Sequence, residues 1–276
     1  ASYREAIALN HDFFEAHYNL GNTLKEMDRL GEAQESYTQA VLLKHDYAKA
    51  HYNLGITLEE LGKLQEAKAS YTHAIGFKAN HAEAHNNLGN MLRKLGGLEE
   101  AKASYNQAIA LRPNYVEAHN NLGVTLKELG RLEEAQTSYT QAIMLKSNYV
   151  DALMNRWQLL FDKNEFDAAL KDIELCNTEK SRACSLETLY ALGRIGEIYE
   201  RIEIQAEFDD GNLRMAALSS FISEQQKKNT AHNFCPNPMS FIYFSNISSH
   251  FEDTAKFVSK LLEEMNKLET IWEPNG

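Results

Sequence analysis

Five asparagines recur at a constant interval along the chain, and they are its strongest candidates for chemistry. Each stands 34 positions after the one before it: Asn19, Asn53, Asn87, Asn121 and Asn155. A carboxamide carries two N–H donors and an oxygen acceptor. A row of such groups can therefore pair with the N–H and C=O groups of an extended peptide without reading its side chains. The alternative is that the amides bond one helix to the next and stabilise the array.

The interval suits an extended peptide if each asparagine lies on a helix of its own. Adjacent helices pack about 8–10 Å apart, and three residues of extended chain span about 10 Å. Tyr18 and Tyr52 stand next to the row. They could add stacking or apolar contact to a bound peptide, or they could be solvated residues of a helix face.

A second regular row consists of histidines and brings metal binding into consideration: His17, His51, His85 and His119. Zinc–nitrogen bonds are only about 2.0–2.1 Å long, so rings on units some 10 Å apart cannot share one ion. Core packing is the better interpretation. His232 and Cys235 lack a second pair of ligands, and no histidine follows His250 to complete an iron triad with Glu252. No catalytic residue, metal site or cofactor site is predicted.

The elements that position these rows form a repeat of 34 residues. Leu-Gly pairs mark each copy, at Leu20, Leu54, Leu88 and Leu122. In the first copy the pair is followed by Ala33, Tyr37 and Ala40, and the same three residue types recur in phase in the other copies. A fixed period in this range predicts a solenoid in which each unit packs on its neighbours.

Each unit contains two helical segments joined by a short polar turn. The pattern predicts helices over about 16–27 and about 31–43 in the first copy. Gly21 lies inside the first helix, where glycine costs about 1 kcal/mol relative to alanine. Its recurrence suggests that a neighbouring helix approaches too closely for a side chain. Ala33 and Tyr37 lie on one face of the second helix because they are four residues apart.

This pattern resembles the signature of the tetratricopeptide repeat family. The match covers four full units, 14–47, 48–81, 82–115 and 116–149. Histidine stands where the family has a large residue such as tryptophan, and Pro113 is the only linker proline in the family's place. The resemblance implies an all-α fold, a right-handed α-solenoid whose first helices line the concave face. The five asparagines would then lie on that face.

Both ends of the regular array depart from the pattern. Residues 1–13 fit the second half of a preceding unit, and residues 150–183 form a degenerate fifth unit. Arg156 and Trp157 stand there in place of Leu-Gly. We expect Trp157 to push the neighbouring helix away and this unit to act as a capping repeat. The predicted solenoid therefore spans residues 1–183.

The asparagine row closely resembles the ladder in the repeats of the O-linked N-acetylglucosamine transferase family, where it grips peptide backbone. Other tetratricopeptide repeats clamp a terminal carboxylate with lysine or arginine beside asparagine, and Lys49 with Asn19 and Asn53 is a fragment of that arrangement. The equivalent positions in the other units are acidic: Glu15, Glu83, Glu117 and Asp151. These acids would repel a carboxylate, so the clamp is disfavoured and Lys49 remains a candidate contact for a peptide.

The composition of the chain limits the kinds of molecule that we expect it to bind. The net charge is −11, which argues against nucleic acid and anionic membranes as main partners. No apolar run approaches the length of a membrane span, and no signal peptide is recognised. Three cysteines form no disulfide framework and suit a reducing compartment. We expect a cytoplasmic location and partners that are proteins or extended peptide segments.

Residues 184–276 are predicted to form a smaller, mostly helical C-terminal region, truncated at its end. Apolar residues give a long helical pattern over 186–202, and a capping box at Ser249 and Glu252 predicts a final helix. The segments 234–238 and 272–274 are similar to sequences that precede an iron- and 2-oxoglutarate-dependent oxygenase domain in some repeat proteins.

Two functions follow from these patterns. The first is a protein interaction scaffold that binds an extended peptide or partner in the concave groove and is not itself an enzyme. The alternative is the substrate-recruiting N-terminal region of a larger enzyme, an O-linked glycosyltransferase or an iron- and 2-oxoglutarate-dependent oxygenase, whose catalytic domain is absent here.

Overall fold

The computed structural model describes residues 2–176 and 178–205, which form thirteen α-helices and no strand. The helices are α1 (Ser2–Leu9), α2 (Phe14–Glu26), α3 (Leu30–Leu43), α4 (Ala48–Glu60), α5 (Leu64–Phe77), α6 (Ala82–Lys94), α7 (Leu98–Leu111), α8 (Val116–Glu128), α9 (Leu132–Leu145), α10 (Val150–Asp162), α11 (Phe166–Glu174), α12 (Glu179–Ala191) and α13 (Ile195–Gln205). The prediction of an all-α solenoid is confirmed for this part of the chain.

The chain divides into two compact units, residues 1–195 and 196–276. The second unit is described only over the part of α13 that it contains. The segments 234–238, 249–252 and 272–274, from which sequence predictions were made, lie outside the described residues.

Helix pairs in the first unit follow the 34-residue period. The first helices of successive pairs begin at positions 14, 48, 82, 116 and 150, and the second helices at 30, 64, 98, 132 and 166. Each pair packs together, and each second helix also packs on the first helix of the next pair. The array is therefore built from local contacts, as expected of a solenoid.

The turn inside each pair is closed by one residue in the left-handed region, with φ between 57° and 84°. These residues are Asp28, Gly62, Gly96, Gly130 and Asn164. In each case the next N–H donates to the carbonyl five positions earlier, at 2.8–2.9 Å. Glycine, asparagine and aspartate are the residue types that adopt this conformation most readily.

The recurring glycine is required by the tyrosine of the same unit. A Cβ added to Gly89 would lie 2.6 Å from Cε1 of Tyr105, and the other three units give 2.6–2.7 Å. The four tyrosines are buried, and Ala101 and Ala108 beside Tyr105 are fully buried. The close approach predicted from sequence is confirmed, and the group that fills the space is a phenol ring.

The fifth pair exchanges the sizes of these two residues. Trp157 replaces the glycine and Ile173 replaces the tyrosine, and both are buried. The indole N–H of Trp157 donates to Oγ1 of Thr188 in α12, at 2.9 Å. We expected Trp157 to push its neighbour away, but α11 still packs on α10 because the smaller Ile173 leaves room for the indole.

A buried ion pair accompanies this exchange. Arg156 replaces the leucine of Leu-Gly, and Asp172 replaces a serine that recurs in the other units. The guanidinium donates to both carboxylate oxygens of Asp172, at 2.7 and 2.5 Å, and to Oγ1 of Thr140 at 2.8 Å. Asp172 is only 4% exposed. Arg156 therefore ties α10 to both α11 and α9.

Past the fifth pair the sequence pattern and the structure differ. The single helical pattern predicted over 186–202 is divided between α12 and α13, since Gly193 adopts a φ of +71° and ends the first helix. The boundary placed at residue 183 falls inside α12. This helix is stabilised by a capping box between Thr178 and Ser181 and packs on α11.

Candidate functional site

The five asparagines of the row lie on the first helices of successive pairs. They occupy equivalent positions in α2, α4, α6, α8 and α10, and all five are partly buried. Contacts also join α2 to α4, α6 to α8, and α8 to α10 directly. The asparagines therefore form a continuous row on neighbouring helices, which we call the amide row.

In the N-terminal half the amide row is bonded to tyrosines. Nδ2 of Asn53 donates to the hydroxyl of Tyr18 at 3.1 Å and to Oδ1 of Asn22 at 2.9 Å. Nδ2 of Asn87 donates to the hydroxyl of Tyr52 at 3.4 Å. Every one of these bonds leads from one helix to the preceding first helix, so the amides join neighbouring units.

In the C-terminal half asparagines take the place of those tyrosines. Nδ2 of Asn121 donates to Oδ1 of Asn86 at 3.1 Å, and Nδ2 of Asn155 donates to Oδ1 of Asn120 at 3.0 Å. Helix-to-helix bonding, one of the two alternatives for the row, thus occurs at four of its five members. Asn19 has no side-chain hydrogen bond within the described residues.

The asparagines that accept these bonds were not predicted from the sequence. Asn86 and Asn120 stand one position before the amide row, in phase with Tyr18 and Tyr52. The signal was present, because these four residues recur at 34-residue intervals and are all able to accept a hydrogen bond. Their role appears only when residues 35 positions apart are placed on neighbouring helices.

Tyr18 and Tyr52 are held by aromatic neighbours. The ring of Tyr18 lies 5.1 Å from that of Tyr47, and the ring of Tyr52 lies 4.5 Å from that of His81. Burial raises the pKa of Tyr52, and the nearby Glu83 carboxylate raises it further. These contacts favour a fixed aromatic wall beside the amide row over freely solvated side chains.

Lys49 is exposed and has no ion-pair partner among the described residues. At the equivalent position in the next unit, Glu83 forms an ion pair with Arg112. Glu117 and Asp151 are exposed and form no ion pair in the part of the chain that the structure describes. Glu15 likewise forms no ion pair among the described residues, so the edge of the site at the start of the first helices carries one isolated cation and three unpaired carboxylates.

The opposite edge is neutralised by ion pairs between units. At the ends of the first helices these pairs have N–O distances of 2.7–3.8 Å: Lys25–Glu60, Lys94–Glu59, Arg93–Glu128 and Lys127–Asp162. Exposed pairs of this kind contribute about 0–1 kcal/mol each. They leave little free charge at this edge for a ligand.

Each histidine of the second row bonds to the backbone just before its own helix. In each of four units Nε2 contacts the carbonyl oxygen six residues earlier, at 2.8–3.3 Å. A carbonyl can only accept, so Nε2 carries the proton. Burial lowers the pKa of His51, which favours the neutral ring. Among the described residues, no three His, Cys, Asp or Glu side chains are placed to hold a metal ion.

Among the helices of residues 2–176 and 178–205, none combines the length and the apolar character that crossing a bilayer requires.

The fold and the site define an α-solenoid whose first helices present a bonded row of amides. Family models now identify the units. A model described as TPR repeat matches residues 1–28 and 89–130, and one described as tetratricopeptide repeat matches residues 48–81 and 116–149. The chain therefore contains tetratricopeptide repeats.

Solved structures agree with this fold. YrrB, described as a TPR protein with an unusual peptide-binding site, is 23% identical, with a TM-score of 0.57 over 70% of this chain and 97% of its own. PilF of Pseudomonas aeruginosa is 17% identical, with a TM-score of 0.62 over 80% and 100%. A tetratricopeptide repeat protein from Parabacteroides merdae is 19% identical, with a TM-score of 0.60 over 78% and 87%. The search of curated proteins returned no match.

Proposed function

We propose that this chain is a protein interaction scaffold that binds an extended polypeptide segment along the amide row. The observation that carries this proposal is the continuity of the row. Four of the five equivalent amides are bonded to side chains of the preceding first helix, yet none of the five is fully buried. They would present backbone-pairing groups at intervals of about 8–10 Å, close to the length of three extended residues.

Bonding between units favours binding because it fixes the amides before the peptide arrives. A side chain that is already held in one rotamer loses little entropy when it meets a ligand. Helix-to-helix bonding and peptide binding are therefore compatible roles for the same residues. Selectivity would come from the less regular neighbours of the row, the rings of Tyr18 and Tyr52 and the charges of Lys49, Glu117 and Asp151.

A recruiting role within a larger enzyme is the second candidate. The similarity of the amide row to the ladder of the O-linked N-acetylglucosamine transferase family supports it, since that ladder grips peptide backbone. In both cases the same face would bind polypeptide. The scaffold role is the simpler proposal because it uses only groups that this chain contains.

The proposal is tested with a triple variant, Asn53→Ala, Asn87→Ala and Asn121→Ala. The ligand is a fluorescent 12-residue peptide selected on the full chain from a random-sequence display library. Each lost hydrogen bond costs about 0.5–1.5 kcal/mol, and 1.4 kcal/mol corresponds to a factor of ten. We expect the affinity to fall at least about tenfold, measured by fluorescence anisotropy at a temperature where circular dichroism shows the variant folded.

The matched control removes three exposed amides outside the row, through Asn80→Ala, Asn106→Ala and Asn114→Ala. This variant is expected to bind the peptide with unchanged affinity. A folded row variant that binds as tightly as the control would contradict the proposal, and so would a selection that enriches no peptide.

A further inference from the structure

Four of the five asparagines in the amide row donate side-chain hydrogens within the protein, and we infer that the row acts toward a peptide chiefly as a set of hydrogen-bond acceptors that binds backbone N–H groups. This inference rests on the proposed function and adds which groups of the peptide the row binds. The groups it would recognise are peptide N–H donors on an extended segment.

Five of the row's ten Nδ2 hydrogens donate to neighbouring helices. Asn53 uses both hydrogens of Nδ2, one to Tyr18 and one to Asn22. Asn121 and Asn155 each use one hydrogen in a bond to the preceding unit. Within residues 2–176 and 178–205, no hydrogen bond reaches Oδ1 of these three asparagines. All three oxygens are therefore open to a ligand, whereas only Asn121 and Asn155 keep an Nδ2 hydrogen that bonds no described residue.

The direction of these bonds is set by a buried phenol. The hydroxyl of Tyr37 donates to Oδ1 of Asn22 at 2.8 Å, and Tyr37 is fully buried. Turning the Asn22 amide round would leave the buried Tyr37 hydroxyl without its acceptor, at a cost in desolvation. Oδ1 of Asn22 therefore stays an acceptor, and the group that faces it must be the Nδ2 of Asn53.

The bonds between units 2 and 4 run in one direction along the array. Asn121 donates to Asn86, Asn86 donates to Asn87 at 3.3 Å, and Asn87 donates to Tyr52. An amide that donates in such a chain becomes a stronger acceptor at its oxygen. This chain of hydrogen bonds ends at Oδ1 of Asn121. That oxygen is the strongest acceptor in the chain, and no described residue donates to it.

Two carboxylates reinforce the acceptor character of the C-terminal half. Glu117 lies four residues before Asn121 on α8, and Asp151 lies four residues before Asn155 on α10, so each pair shares a helix face. Charge complementarity therefore favours a segment that brings donors, from its backbone and from lysine or arginine side chains. It disfavours an acidic segment.

The interval of the row specifies the backbone that fits. A polyproline II segment has three residues per turn and rises about 3.1 Å per residue, so every third residue faces the same side at about 9.3 Å. This matches the separation of packed helices, about 8–10 Å. Residues that contact the row must carry an N–H, so proline is excluded there. Proline is tolerated at the two residues between contacts.

The experiment is a backbone ester scan of the selected 12-residue peptide against the full chain. An ester replaces one N–H by oxygen, which removes that donor and also weakens the carbonyl of the same linkage as an acceptor. We expect losses of about threefold to tenfold in affinity at residues three apart, and little change at the others. The loss at one of these residues should disappear in the Asn121→Ala protein, because the acceptor it met is already gone.

Two results would overturn the inference while leaving the proposed function intact. One is an ester scan with no sensitive residue in a peptide whose binding the triple row variant abolishes. The other is sensitive residues that tolerate proline. Unchanged binding to the triple row variant would instead remove the proposed function, and the inference with it.

Discussion

Replacing Gly89 by alanine is expected to lower the free energy of unfolding by about 1–3 kcal/mol, the usual cost of forcing an extra carbon into a packed core. The new Cβ would lie 2.6 Å from Cε1 and 2.8 Å from Cδ1 of Tyr105. The ring is fully buried and cannot easily move, because its hydroxyl donates to Oδ1 of Asn90 at 2.8 Å. Urea unfolding followed by circular dichroism measures the change.

The same substitution at Gly76 supplies the matched control. Gly76 also lies in a helix, it is exposed, and a Cβ there meets no atom within 4 Å. Alanine is expected to raise stability there by up to about 1 kcal/mol, since it relieves the entropic cost of a helical glycine. Adding Tyr105→Leu to Gly89→Ala should reduce the effect of the alanine. Equal changes in the free energy of unfolding at Gly89 and Gly76 would show that the tyrosines do not require the recurring glycine.

Replacing Arg156 by leucine is expected to destabilise the fifth unit by about 3–5 kcal/mol, because it leaves the carboxylate of Asp172 buried without its partner. The double variant Arg156→Leu, Asp172→Ser restores the residue pair of the regular units, as in Leu122 and Ser138. It should recover most of the loss, since a buried ion pair is often no more stable than an apolar replacement.

Urea unfolding and hydrogen exchange in α10 and α11 together measure these effects. The single change Asp172→Ser should cost less than Arg156→Leu, because the Arg156 side chain is 19% exposed and Asp172 only 5%. A double variant as unstable as Arg156→Leu alone would mean that the ion pair is not a self-contained replacement for leucine and serine.

The regular part of the fold was predictable because one physical requirement recurs in every unit. Glycine inside a helix is unfavourable, so its return at Gly21, Gly55, Gly89 and Gly123 required a close contact. Sequence could not identify the atom on the other side. The structure shows that it belongs to the tyrosine of the paired helix, 16 positions later.

The departures from the repeat pattern were harder to predict, because in each of them one residue alone gives a misleading signal. Trp157 alone suggests a displaced helix, and only its pairing with Ile173 reveals an exchange of sizes. The break at Gly193 was hidden because the apolar residues on both sides keep a helical spacing, whereas a left-handed glycine ends the helix.

The sequence predicted the row of asparagines, but it did not predict the hydrogen bonds that these asparagines make. Asn53 and Asn121 were expected to bind either a peptide or a neighbouring helix, and one sequence cannot separate the two. The helix-to-helix bonds are now visible, with Tyr18 and Asn22 as acceptors for Asn53 and with Asn86 as the acceptor for Asn121. Peptide binding by the same amides remains a proposal, because it depends on the oxygens that those bonds leave over.

Nuclear magnetic resonance of the asparagine side-chain amides can show whether a peptide binds at the amide row. The full chain, labelled with 15N at asparagine, is titrated with the selected 12-residue peptide, and single Asn→Ala variants assign the resonances. We expect saturable shifts at Asn53, Asn121 and Asn155, and unchanged resonances at Asn80, Asn106 and Asn114. Saturable binding that leaves the resonances of the amide row in place would contradict this expectation.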